Sequence, residues 1–131
     1  MVDVSGGPVA LVVDDDHGVS AAVGEVLATL RCRTLVASSL EEALAVFRAV
    51  RAHFSILDVH VRDRTGFEIL GELRALAANH PAIFMSGDFT AEIRRRAADF
   101  AAHSLLEKPL RLGQLRDAVG GLLNSGRLTT R

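Results

Sequence analysis

Three aspartates, Asp14, Asp15 and Asp16, close the run "ALVVDDDHG" directly after an apolar segment. Further along, "SILD" ends an apolar run at Asp58, "FMSGD" places Ser86 after another, and "LLEKP" places Lys108 after a third. Carboxylates brought together repel one another and raise their own pKa values unless a cation joins them. An all-oxygen set with room for water suits Mg²⁺, or Mn²⁺, better than zinc. A hydroxyl and a primary ammonium beside a cation-bound carboxylate are the parts needed to hold the oxygens of a phosphoryl group. Lys108 is the only lysine in a chain whose other fixed cations are all arginine, so a compact point charge stands at one strand end alone.

Taken singly, each signal has a plainer reading. Asp is a favoured N-cap, and Asp16 is read as the cap of the helix that follows; Asp14 and Asp15 alone could stop the strand or hold a metal. Lys108 alone could be a solvated side chain ahead of a loop proline. The elements that carry these residues have to decide.

Apolar runs of strand length, Val9 to Val13, Thr34 to Ala37, Phe54 to Leu57, Ala82 to Met85 and Ser104 to Leu106, alternate with segments of helical periodicity. Helical stripes run through Val19, Val23, Val26 and Leu30, then Leu40, Ala43, Leu44 and Phe47, with Ser39 and Glu42 spaced for a capping box. Further stripes hold Phe67, Leu70, Leu73 and Leu76, and Leu112, Leu115, Val119 and Leu122. The fourth helix, about Thr90 to Phe100, carries Arg94, Arg95 and Arg96 and leaves Ile93, Ala97 and Phe100 for its apolar face. Five β/α units predict an α/β fold, a doubly wound five-stranded parallel sheet in the order 2-1-3-4-5. In that order the first and third strands are neighbours, so Asp14, Asp15 and Asp58 meet at one edge.

At 131 residues the chain is expected to hold one domain, and a net charge of -1 suggests no long-range field for nucleic acid or a membrane. The lone Cys32 allows neither an internal disulfide nor a thiolate metal site, and no run reaches bilayer length. "MVDVSGGP" lacks the marks of a signal peptide, so a cytoplasmic protein is expected. The expected organisation is a flexible 1–8, a core domain over 9–123 and a tail over 124–131.

"LVVDDD", "ILDV" with "TGFEIL" beyond it, "MSGD" and "LEKPL", in that order and each at a strand end, resemble the receiver domain of bacterial two-component response regulators, a flavodoxin-like (βα)5 fold. The resemblance implies that Asp58 accepts a phosphoryl group from a histidine kinase or phosphotransfer protein. It implies that Asp14, Asp15, Asp58 and the backbone carbonyl of His60 ligate Mg²⁺, and that Ser86 and Lys108 hold the phosphoryl group. By the same analogy the Lys108-Pro109 bond is cis. Output is expected through contact with a protein partner at the face of the fourth helix, fifth strand and fifth helix, by a monomer or weak homodimer, with no direct nucleic-acid or membrane contact.

Departures from the family pattern carry expectations too. Arg62 stands where relatives have proline, which predicts a looser, more basic loop after Asp58. Leu105 replaces an aromatic residue that reports phosphorylation by reorienting. Ala101 replaces a glycine that ends the fourth helix, so that helix is expected to stop irregularly or run long. His60 and Asp88 sit where side chains flank the attacking water in relatives; for His60 a role in phosphoryl lifetime and plain exposure are both open. Three function classes follow: a phosphoaccepting receiver with no attached output domain, since "NSGRLTTR" cannot hold a DNA-binding module; a receiver-like binding module that works without phosphate; and a small Mg²⁺-dependent phosphatase. The last lacks a second catalytic aspartate, since His60 stands at that place, and lacks a cap.

Overall fold

A computed structural model describes residues 6–128. The elements are β1 (Val9–Val13), α1 (His17–Thr29), β2 (Arg33–Ala37), α2 (Leu40–Ala49), β3 (Phe54–Asp58), α3 (Gly66–Leu76), β4 (Ala82–Ser86), α4 (Ala91–Asp99), β5 (Ser104–Glu107) and α5 (Leu112–Leu123). Between β3 and α3 the pieces His60–Val61 and Arg64–Thr65 pair as a small antiparallel hairpin. The five long strands form one parallel sheet in the order β2-β1-β3-β4-β5, as the alternating pattern predicts. Strands β3, β4 and β5 each run one residue beyond the apolar stretch and take in Asp58, Ser86 and Glu107, because ladder bonds depend on the backbone and not on side-chain polarity. The expected flexible start, of which residues 1–5 lie outside the described residues, includes Gly6 to Pro8; Pro8 is already tied in, its carbonyl accepting from Arg33 N–H.

Both faces of the sheet are covered, which is why β1, β3 and β4 are buried along their whole length. On one side Val9, Leu11, Val13, Leu57 and Phe84 pack with Phe47 of α2, Phe67 and Leu70 of α3, and Ala97 of α4. On the other Ala10, Val12, Ile56, Ile83 and Met85 pack with Val23 and Leu27 of α1 and Leu115 and Val119 of α5. The period-two alternation along each strand thus feeds two separate cores. Asp16 caps α1 as read, its carboxylate accepting from Gly18 and Val19 N–H.

Two local expectations are corrected. Ser39 caps α2 by accepting from Glu42 N–H, but Glu42 reaches the N–H of Ser38 instead of closing a box on Ser39. The complete capping box belongs to α3, where Thr65 and Glu68 exchange bonds. Helix α4 neither overruns nor frays: it stops at Asp99, and Ala101 takes the left-handed conformation (φ 51°) usually left to glycine. Ala102 N–H then bonds the Ala97 carbonyl and Ala101 N–H the Ala98 carbonyl, each at 2.9 Å, so a Schellman closure forms on alanine. The hydrogen bonds offset the Cβ penalty that was expected to prevent it.

Candidate functional site

The carboxyl ends of β1, β3, β4 and β5 converge where the strand order reverses, the place at which open α/β sheets bind ligands. Asp14 follows β1 and is 1% exposed; Asp58 ends β3 and is 7% exposed; Asp15 lies in solvent between them. One oxygen from each of Asp14, Asp15 and Asp58 lies within 4.8 Å of the others. Gly66 makes the close packing under this cluster possible, because a Cβ there would run into the Asp58 carbonyl oxygen.

Lys108 follows β5 and reaches across to both buried carboxylates. Its Nζ donates to Asp14 Oδ2 at 2.8 Å and to Asp58 Oδ2 at 2.9 Å. The Lys108-Pro109 bond is cis, as expected. Burial pushes the Asp14 carboxyl above its ordinary value of 3.8; the Lys108 and Asp16 hydrogen bonds pull it back, and the Asp58 charge raises it again. For Lys108, burial pulls the ammonium downward, yet its bonds to Asp14 and Asp58 outweigh that and hold it above 10.5. The lysine is therefore charged at neutral pH, and one cation faces three carboxylates.

Ser86 is fully buried at the end of β4, at the same edge, but its hydroxyl is occupied locally. It donates to the Asp88 carbonyl at 2.7 Å and accepts from Asp88 N–H at 3.0 Å, which folds the following loop back on the strand. The side chain of His60 is exposed, and its backbone N–H donates to Asp58 Oδ1 at 3.3 Å. The structure thus brings Asp14, Asp15, Asp58 and Lys108 into one constellation, with Ser86 beside it and turned to its own loop.

Arg62 corrects the expectation of a loose loop. It holds a left-handed backbone (φ 57°), its N–H donates to Asp15 Oδ2 at 3.3 Å, and its Nε donates to the Ser38 carbonyl at 2.9 Å. A proline at this position could neither adopt that φ nor offer an N–H, so the departure from the family pattern adds a tie to the acidic cluster. Nothing in the residue type pointed to the tie, since it runs through the main chain. The capping box that anchors the other end of the loop was readable in "TGFE" as a Thr followed three residues later by Glu.

The helix that follows the Ser86 loop presents its three arginines in different directions. Arg94 lies 4.2 Å from the Phe89 ring centroid, Arg96 lies 4.6 Å from that of Phe67, and Arg95 is exposed. Leu105 is half-buried against the core.

The model of the response regulator receiver domain matches residues 10–120. The chain belongs to that family. It is 34% identical over 113 residues to the two-component response regulator ORR21 of Oryza sativa subsp. indica, covering 85% of this chain and 16% of the rice protein. Sporulation initiation phosphotransferase F of Bacillus subtilis is 26% identical over 109 residues, covering 83% of this chain and 88% of that protein. Among solved structures, the CheY-like receiver domain protein of Methanospirillum hungatei JF-1 superposes with a TM-score of 0.82 at 20% identity, covering 90% of this receiver chain and 94% of that one. That likeness concerns the fold. Receiver domains of this family are signalling modules and not metabolic enzymes. Among the described residues no helix of this receiver is long and apolar enough to cross a membrane.

Proposed function

We propose that this receiver carries a two-component phosphorelay signal in the cytoplasm by accepting a phosphoryl group on Asp58. The observation that carries the reading is the Lys108 ammonium held between Asp14 and Asp58 at the edge where a third carboxylate, Asp15, also lies. The receiver unit is assigned to residues 9–123, with 124–131 as a tail.

The donor set fits a hard divalent cation. Three carboxylates supply oxygens within one ion's reach, two of them buried, and the single nearby ammonium leaves the cluster negative overall. Asp14, Asp15, Asp58 and the His60 carbonyl would hold Mg²⁺, or Mn²⁺ in its place. When bound, the cation offsets charge on the phosphoryl oxygens during transfer.

The remaining steps belong to the chain itself. An Asp58 carboxylate oxygen attacks phosphorus of a phosphohistidine on a kinase or phosphotransfer protein. The P–N bond breaks, its electron pair stays with the imidazole, and Asp58 becomes an acyl phosphate. Lys108, already donating to Asp58, pairs with the incoming oxygens. Ser86 exchanges the Asp88 carbonyl for a phosphoryl oxygen as the acceptor of its hydroxyl, which releases the loop after β4. Hydrolysis by water returns the free carboxylate. The released loop leads into α4, so a protein partner at the α4-β5-α5 face reads the state, with Leu105 repacking where relatives turn an aromatic ring.

The test is a phosphate-affinity gel of wild type and Asp58→Asn after incubation with acetyl phosphate, with Mg²⁺ or EDTA. The reading expects a retarded band that needs both Asp58 and Mg²⁺. A folded wild-type protein that shows no retarded band from acetyl phosphate or from a phosphorylated histidine kinase would turn the assignment to a phosphate-independent binding module.

A further inference from the structure

The end of the sheet opposite the aspartates holds a second polar cavity. A space of about 420 Å³ lies between the loop that enters β3 and the loop that enters β4, with Arg51, His53, Asn79, His80 and Arg127 in its wall. Among the described residues Arg51 and Arg127 are its only fixed charges, and no carboxylate lines it. Neither arginine makes a salt bridge among the described residues.

Arg51 is pinned in place. One guanidinium nitrogen donates to the Leu76 carbonyl at 2.6 Å, and the group lies 5.0 Å from the Phe47 ring centroid. A guanidinium has five N–H donors, so most of its hydrogen-bonding capacity is left over. Arg127 enters from the segment after α5, and its charge acts on Arg74 and His103 nearby. Two fixed positive charges therefore line a cavity that holds no counterion among the described residues.

His53 adds an unmet donor. Val9 N–H donates to His53 Nδ1 at 2.9 Å, so the neutral ring carries its hydrogen on Nε2. That nitrogen is buried and has no hydrogen-bond partner among the described residues, on a residue only 4% exposed. A buried donor without an acceptor is costly, but this nitrogen is covered, so it adds polarity to the wall while contact with a bound anion falls to the two guanidiniums. Burial, then the Arg33 charge, keep the ring below its ordinary pKa, which preserves the neutral form with one free N–H.

We infer that this cavity binds a small molecule through a phosphate or carboxylate group seated on Arg51 and Arg127. The volume falls within the range of small-molecule sites and exceeds what a bare oxyanion fills, so an organic body accompanies the charge. The site lies at the amino ends of the strands, the far pole from Asp58, so it is separate from the phosphoryl chemistry proposed above.

The experiment is an NMR titration of the full chain, stripped of metal and then dialysed free of chelator, with inorganic phosphate in one arm and citrate in the other. Resonances of residues 51–53 and 77–81 are expected to shift together and saturate, while those of Asp14, Asp58 and Lys108 stay fixed. Saturation by phosphate alone marks a phosphate-bearing ligand, by citrate alone a carboxylate-bearing one, and by both the shared oxyanion chemistry. Arg127→Gln, which lies beyond the last helix, is expected to weaken binding about tenfold with the melting temperature unchanged, the loss of one charge-assisted contact. Arg51→Gln provides a second variant. No saturating shift with either anion, or equal binding by wild type and both variants, would overturn the proposal.

Discussion

Asp14→Asn should make the protein more stable at neutral pH while abolishing its response to Mg²⁺. The Asp14 oxygen lies within 4.8 Å of the Asp58 and Asp15 oxygens, and at an effective dielectric of about 20 a like-charge pair at that spacing costs roughly 3.5 kcal/mol. The exposed Asp15 contributes less, because water screens it. On the same scale Lys108 at 2.8 Å returns about 6 kcal/mol, so the Coulomb terms nearly cancel. Burial of the carboxylate then decides the balance, which agrees with a carboxyl held above 3.8 chiefly by desolvation. Asparagine keeps an oxygen for the Asp16 N–H but turns its amide NH2 toward Lys108, so the bond to Oδ2 is lost while Lys108 keeps its bond to Asp58. The expected gain is on the order of 1 kcal/mol at pH 7, about 4 °C in melting temperature for a domain of this size.

The sign of the pH dependence tests the cause. A carboxyl whose folded pKa is raised favours the native state only where it is protonated, so wild type loses ground as pH rises through that pKa. The gap between variant and wild type is therefore full at pH 7 and closes as the solution is acidified toward 3.8. Thermal melts in EDTA from neutral to acid pH measure it directly. Added Mg²⁺ should stabilise the wild type by about 1.4 kcal/mol at ten times its dissociation constant, raising its melting temperature, and leave Asp14→Asn unmoved. A variant that melts below wild type in EDTA at pH 7, or a gap that widens in acid, would show that the Lys108 attraction outweighs burial and would refute the reasoning.

Three further outcomes follow from the same geometry. Lys108→Met leaves Asp14 and Asp58 facing each other with no ammonium; about 2 kcal/mol of stability should be lost at pH 7, discounted because Lys108 is 21% exposed. Since the folded lysine pKa is raised, that difference should persist through neutral pH and fade only above 10.5, readable by urea melts at several pH values. His80 is pushed down to about 3 by burial and by the charges of Arg74 and Arg51. The stability it allows is present above 6.5 and lost on the way down to about 3, so wild type should lose about 2 kcal/mol between pH 7 and pH 5. His80→Gln, able to keep the bond to Ser55, should flatten that slope; an equal slope in both proteins would clear His80. Ala101→Gly should stabilise by roughly 0.5–1 kcal/mol, because the left-handed φ of 51° suits glycine, and a lower melting temperature would count against the strain argument.

Much of the site was legible because its parts are strand-terminal residues. A buried parallel strand shows up as an apolar run, and the first polar residue beyond it marks the carboxyl edge, so the sequence places Asp14, Asp58 and Ser86 directly and Lys108 one residue past Glu107. What was not legible lies in the main chain. The Arg62 N–H on Asp15 and the left-handed Ala101 depend on backbone angles that the side chain disfavours and neighbouring hydrogen bonds stabilise. Ser86 was placed at the right edge, but its hydroxyl answers to Asp88, a local competition that residue type does not reveal. The basic cavity at the opposite pole escaped because Arg51, His53, His80 and Arg127 come from three separate segments with no shared motif.

The charge balance at the aspartates also explains why Lys108 lies where it does. Three carboxylates with one ammonium form a cluster that burial and mutual repulsion work against, and the lysine holds it together by bonding the two buried members at once. Each of those bonds has to compete with any ligand that brings its own charge. A cation would take over the neutralisation of Asp14 and Asp58, and a phosphoryl group on Asp58 would offer Lys108 oxygens closer to its own reach. The lysine is thus a counterion in the free protein and a phosphoryl contact in the proposed modified one. The domain holds its acidic edge below the stability it could have, which is the condition for ligand and phosphoryl binding to shift it.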